Sequence, residues 1–281
     1  MFPSPTPAVE VASIRIAALP MYDFPELREA HDRFWAALAH RLYALGVSPV
    51  PRRLTRGLSH RELWAHPGLL FGQACEYPLS NFFRERLRIV ATPRYGAPGC
   101  ADTDYRSAIV VRADEPAERL EDLRNRRGIA NEADSNSGMN LFRAALAPFS
   151  SGTRFFHSMQ FSGSHQRSME LVATGEADVT AIDCVTLAYL QRLQPHLTLR
   201  LRVIDWTPTS PCLPFVTSQQ TSESTLQALR SAMAEVFADR ALAPVRDTLL
   251  LEGVDLSPDP TFARVKELEL EAERRQYPVL L

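Results

Sequence analysis

The stretch Asn131-Glu132-Ala133-Asp134-Ser135-Asn136-Ser137-Gly138-Met139-Asn140 is polar and runs straight into the helical-looking Leu141 to Ala147. Gly128-Ile129-Ala130 reads as the end of a short strand. Ser135, Asn136 and Ser137 therefore fall where a helix begins and where its first backbone NH groups have no partner inside the helix. Those donors, the hydroxyls of Ser135 and Ser137 and the positive end of the helix dipole together predict a cradle for a phosphate-like oxyanion, with Gly138 closing the motif. A plainer role is open to the same residues, because serine is a common helix cap and a cap need bind nothing. Two further strand ends carry polar groups. Leu69-Leu70-Phe71-Gly72-Gln73 leads into Ala74-Cys75-Glu76-Tyr77-Pro78-Leu79, and ligands of open α/β sheets sit beyond the carboxyl ends of strands, so Gln73 and Tyr77 are pocket candidates. The competing reading has Tyr77 packing under a loop. Asp183 ends a third strand.

Thiol and metal chemistry find less support. Cys75, Cys100, Cys184 and Cys212 are widely spread, and none has the Cys-x-x-Cys spacing of a zinc or redox site. Free, partly buried thiols are expected, with Cys75 and Cys100 the first pair to test for a bond. Cys184 beside Asp183, with a distant His, could be drawn as a nucleophile set. There is, however, no Gly-x-Ser-x-Gly elbow, His-Glu-x-x-His or Gly-x-x-x-x-Gly-Lys loop, so the reading is not an enzyme and takes no cofactor or metal.

Composition bounds the partners. The 281 residues are 45% hydrophobic, enough for about two cored domains, and a net charge of -2 gives no reason to expect nucleic acid. No apolar run approaches the ~18 residues of a membrane span. Met1 to Pro7 lacks the basic start and apolar core of a secretory signal, which taken literally predicts the cytoplasm.

The elements that must position these groups alternate. After a stiff Pro3 to Pro7 lead-in, Ala12 to Leu19 reads as a strand, Glu26 to Leu45 as a helix stopped by Gly46, and Val47-Ser48-Pro49-Val50 as a short edge strand. Ser59 is expected to cap His60 to Ala65. Strands follow at 69–73 and 87–91, then a loop from Pro93 to Asp104. Tyr105 to Val111 is a strand that could leave one domain for another. A strand is expected near Arg154-Phe155-Phe156 and a helix from Ser162-Gly163-Ser164-His165 to Gly175. Ala177 to Asp183 reads as strand, Cys184 to Leu193 as helix and Leu199 to Ile204 as strand. The stretch 206–214 crosses back, 215–217 rejoins the first domain, and helices 222–238 and 241–250 with a charged tail at 267–275 finish the chain.

Taken in order, Ser135-Asn136-Ser137-Gly138, Ser162-Gly163-Ser164-His165, Gly175 to Asp183 and Ser210-Pro211-Cys212-Leu213-Pro214 resemble the motifs of the phosphate/phosphite/phosphonate-binding proteins of ABC importers. The likeness continues in Leu19-Pro20-Met21-Tyr22-Asp23, Gln73 to Leu79 and Gly96 to Cys100, and so spans about Ser13 to Leu250. It implies a type 2 periplasmic-binding-protein fold, two α/β lobes that each hold a mixed sheet flanked by helices, joined by two crossing strands. Lobe one would comprise 11–106 and 215–281, and lobe two 107–214. It also implies a periplasmic location, an ABC permease as partner, a monomer, and a ligand gripped by closure of the lobes. By the same resemblance the oxyanion is held at Ser135, Asn136 and Ser137, with Tyr105 from the crossing, His165 from the other helix start, and Tyr22 from its motif. Two departures bear on the ligand. Asn136 stands where the family has Thr, and apolar Leu213 stands near where aminophosphonate binders place a carboxylate. Asp183 could replace that carboxylate only if its strand end faces the cleft, so a phosphate, phosphite or amine-free phosphonate is expected. A cytoplasmic anion-sensing module is the alternative.

Overall fold

A computed structural model describes residues 14–150, 152–257 and 263–281. The expected proline lead-in and the first residues of the expected opening strand lie outside them. Among the described residues twelve strands are formed: β1 (Ile16–Ala17), β2 (Leu69–Gln73), β3 (Leu87–Tyr95), β4 (Asp104–Tyr105), β5 (Ser107–Arg112), β6 (Arg127–Ala130), β7 (Ser158–Phe161), β8 (Val179–Asp183), β9 (Leu201–Trp206), β10 (Ser210–Pro211), β11 (Phe215–Ser218) and β12 (Leu251–Asp255). They make two five-stranded sheets, in the orders β1-β2-β11-β3-β12 and β7-β6-β8-β5-β9. Both are mixed. β1 and β2 run parallel while β11 is antiparallel to its two neighbours, and β6 runs parallel to β7 and β8 while β5 is antiparallel to β8 and β9. Between the sheets the two passages of the chain pair with each other, β4 against β10, with Ser210 opposite Tyr105.

Helices cover the sheets for reasons visible in their sequences. In Arg28–Ala44 the buried Phe34, Leu38 and Leu42 recur at helical spacing, and Gly46 leaves the helix at φ 80°. Ser59 and Glu62 close a reciprocal capping box on His60–Ala65. Ser164 caps His165–Thr174 by accepting from the Arg167 NH, and Gly175 ends it in the left-handed region. Stacked Trp35, Phe71, Phe215 and Phe34 centre one core, and Phe142, Phe155 and Phe156 the other.

Four expectations differ from the structure. Residues 47–50 form no strand, because Pro49 has no NH to give a ladder. Phe155 and Phe156 do not enter the sheet either, since both their NH groups donate to the Leu281 carbonyl; the strand comes later, as β7. β3 continues through the expected loop to Tyr95 because β12, which the sequence reading lacked, pairs with it. Finally, the tail assigned to the first lobe with 215–281 packs on the second core, where Ala272, Tyr277 and Leu280 are buried with Phe142 and Phe155.

Candidate functional site

A cavity of about 1140 Å³ lies between the two sheets. Its inner end is built on the loop after β6. Ser135 has extended backbone, φ -76° and ψ 134°, and its hydroxyl accepts from the Gly138 NH at 3.0 Å, so Ser135 is a cap as well as a lining residue. Asn136–Asn140 winds as a single π-helical turn before the α-helix Leu141–Ser150. Such turns recur at functional sites because they re-aim side chains. Here the serines alternate with asparagine: Ser135 and Ser137 line the cavity, with their hydroxyls 3.4 Å apart, and Asn136 turns away from it. Ser137 Oγ lies 2.7 Å from His165 Nε2, while its carbonyl accepts from Ser107 Oγ on β5. Burial lowers the His165 pKa to about 4, with the Ala181 backbone acting in the opposite sense, so the ring meets the cavity neutral.

Gly138 does not line the cavity, but its lack of a side chain shapes it. A Cβ there would sit 1.9 Å from Asn131 Oδ1 and 3.2 Å from His165 Cε1. Asn131 does line the cavity, and its buried Oδ1 has no hydrogen-bond partner. That residue opened the polar stretch in the sequence without being named as a site residue.

Asp183, at the end of β8, also faces the cavity. Its Oδ2 accepts from the Tyr22 hydroxyl at 3.0 Å, which joins the lobes, and its Oδ1 accepts from the Thr186 NH at 2.9 Å, which caps the helix Cys184–Leu193. Burial pushes its pKa up to about 6 against those hydrogen bonds. Tyr22 and Tyr77 complete the expected residues on the lining, Tyr77 with its hydroxyl 2.5 Å from Glu269 of the tail helix Ala263–Arg274.

The remaining expected residues sit behind the wall. Asn136 is fully buried, and its Nδ2 lies 2.9 Å from Ser210 Oγ, 3.1 Å from Tyr105 Oη and 3.2 Å from Glu76 Oε2. Its Oδ1 accepts from Asn140 Nδ2. Asn136 and Tyr105 thus tie the loop to the paired passages β4 and β10. Gln73 donates from Nε2 to Tyr95 Oη and the Leu213 carbonyl. The backbone expectation changes too: the Asn136 NH, expected among the donors to the oxyanion, donates to Cys75 Sγ at 3.3 Å. Thiol sulfur is a weak acceptor, so this amide gives up little to turn elsewhere.

The four cysteines are free. Cys75 meets the Asn136 NH, whereas Cys100 Sγ lies 3.4 Å from Cys184 Sγ beside the paired passages. The Cys100 thiol, burial and the Asp183 charge raise the Cys184 pKa, the opposite of what a thiolate nucleophile requires.

Sequence reasoning missed the outer half of the cavity. Trp64, Phe82, Phe161 and Arg61 line it, and the Arg61 guanidinium pairs with Asp134 across the lobes while lying 5.4 Å from the centre of the Phe82 ring. Arg61 is the lone Lys or Arg on the lining among the described residues. A signal existed for Phe161: it ends β7, a parallel strand, and was lost when that strand was expected at 154–156. Glu76 was also missed. It is buried, its Oε1 has no partner, and burial together with the Asp183 charge raises its pKa well above the usual carboxylate range.

The sequence model of the family described as "ABC transporter, phosphonate, periplasmic substrate-binding protein" matches residues 16–256. No curated protein matches the chain. Among solved structures, a binding-protein component of an ABC phosphonate transporter from Pseudomonas aeruginosa is similar at 16% identity and TM-score 0.70, covering 93% of this chain and 87% of that one. PhnD1 from Prochlorococcus marinus in complex with methylphosphonate is similar at 14% identity and TM-score 0.70, covering 93% and 99%. A Xanthomonas citri protein bound to ATP is similar at 16% identity and TM-score 0.69, covering 94% and 98%. At these identities the likenesses bear on fold, and the fold is the expected two-lobed α/β arrangement.

Proposed function

Since the chain belongs to the family of periplasmic substrate-binding proteins of phosphonate ABC transporters, we propose that it binds a phosphorus oxyanion without an amine: phosphate, phosphite or a simple phosphonate. The observation that carries this reading is the convergence of Ser135 Oγ, Ser137 Oγ and His165 Nε2 at the buried inner end of an inter-lobe cavity. Hydroxyls donating to an ionised oxygen form charge-assisted bonds worth roughly 1.5–3 kcal/mol each. Tyr105, Asn136 and Gly138 serve by holding that loop, and Gln73 by holding the floor below it.

The amine-free choice rests on two features. Leu213, on the cavity lining, offers an ammonium nothing, and both oxygens of Asp183 already accept from protein donors. Asp183 keeps lone pairs, however, so an aminoalkylphosphonate is the discriminating control. Titration calorimetry should give tighter binding of methylphosphonate than of the aminoalkyl analogue, and Ser137→Ala should weaken the former about tenfold or more. Unchanged affinity in that variant would remove Ser137 from the site. Tighter binding of the amine would reverse the ligand assignment.

In this reading Tyr22 with Asp183 and Arg61 with Asp134 are contacts of the closed form. A ligand touching both lobes favours that form by its differential affinity, and the closed form then docks on a permease from the periplasmic side. Capture of a membrane permease by the liganded protein tests the partner; capture of a regulatory protein instead would favour a sensor.

A further inference from the structure

The cavity is far larger than the guest its inner end suits. A tetrahedral oxyanion occupies the space of a few waters at roughly 30 Å³ each, whereas the cavity holds about 1140 Å³. Part of that volume is an open mouth, although the lobes already touch through Tyr22 and Asp183 and through Arg61 and Asp134. The extra room has a wall of aromatic side chains, with His60, Glu132, Asp134 and Gln166 also on the lining. Phe82 and Phe161 stand 54% and 51% exposed, and Trp64, Tyr77 and Met21 lie along the same surface. Half-exposed aromatic rings lining one cavity gain by being covered by a guest, and the Arg61–Asp134 pair joins the lobes beside them, its guanidinium 5.4 Å from the centre of the Phe82 ring.

We propose that this outer half takes an apolar organic substituent of about ring size, so that the physiological guest is an organophosphonate or phosphate monoester, with its anionic head at Ser135 and Ser137 and its body against Phe82 and Phe161. The proposal rests on the oxyanion reading above and adds to it the chemistry of the group the anion carries. Bare phosphate or phosphite would leave the apolar walls wet, and a substituent that covers them gains in proportion to the area it takes from water.

Calorimetric titration with phenylphosphonate, methylphosphonate and inorganic phosphate tests it. Phenylphosphonate should bind about tenfold tighter than methylphosphonate, and in a Phe82→Ala/Phe161→Ala double variant the ratio of the two affinities should fall to near unity. Both rings are half-exposed, so the fold does not depend on them. Equal affinities in the unsubstituted protein, or a ratio that survives the double substitution, would overturn the organic-substituent assignment while leaving the oxyanion site standing. If none of the three anions binds, the oxyanion reading fails and this inference with it.

Discussion

At the inner end of the cavity the polar side chains are held by one another: Ser135 by the Gly138 NH, Ser137 by His165 and Ser107, and Asp183 by Tyr22 and Thr186. At the outer end the main features are two half-exposed phenyl rings and an ion pair whose Arg61 side chain is 60% exposed. The inner end is preorganised, so its chemistry depends on geometry to within fractions of an ångström. The outer end is a surface, where area matters more than placement. The two halves of one cavity should therefore respond to substitution on different scales.

Gly138→Ala tests the contrast most severely. Its Cβ has no room beside Asn131 and His165, so the loop must shift, and methylphosphonate affinity should fall about a hundredfold. A variant that binds normally would show that the inner geometry is not what selects the guest.

Asp183→Asn probes the same end through stability. A folded pKa near 6 above an unfolded value of about 3.9 means that the native state holds the extra proton. This carboxyl's contribution to stability is full below pH ~4 and is lost as pH rises through about 6. Removing the titration should make the variant gain, relative to the unsubstituted protein, on the order of 2 kcal/mol between pH 4.5 and 7 in urea unfolding. His165 acts with the opposite sign: its folded pKa is depressed to about 4, so its contribution is present above ~6.5 and lost as pH falls through 4. Parallel curves for variant and parent would show Asp183 to be unshifted.

A bound anion should favour the protonated forms of His165 and Asp183. Calorimetry of methylphosphonate binding near pH 6.5, in buffers of different ionisation enthalpy, should therefore report net proton uptake of a fraction of a proton. Buffer-independent heats would uncouple the two groups from the site. The smallest effect belongs to the outer pair. Arg61→Ala removes an exposed ion pair worth about 0–1 kcal/mol, so methylphosphonate affinity should change less than about fivefold.

Much of the architecture could be read from residue order, because helices and buried strands carry their own periodicity: Phe34, Leu38 and Leu42 announce a helix, and the apolar run Ala108 to Val111 a strand. What could not be read depends on distant partners. Phe155 and Phe156 have strand chemistry yet bond to Leu281, and Leu251–Asp255 becomes a strand because β3 offers it an edge. The site divides in the same way. Ser135 and Ser137 were legible as a helix start, whereas the turn of Asn136 away from them follows from the π-helical winding and from acceptors on Ser210, Tyr105 and Glu76 that no local spacing reveals.

That single amide has a mechanical consequence. It sits between the two serines along the chain, and its two Nδ2 hydrogens are shared among Ser210 and Tyr105 on the two passages between the lobes and Glu76 of the opposite lobe. If the lobes close as proposed, a swing that widens the cleft would pull on this pin, and the pin on the hydroxyls to either side, so that grasp and gate would act as one linkage.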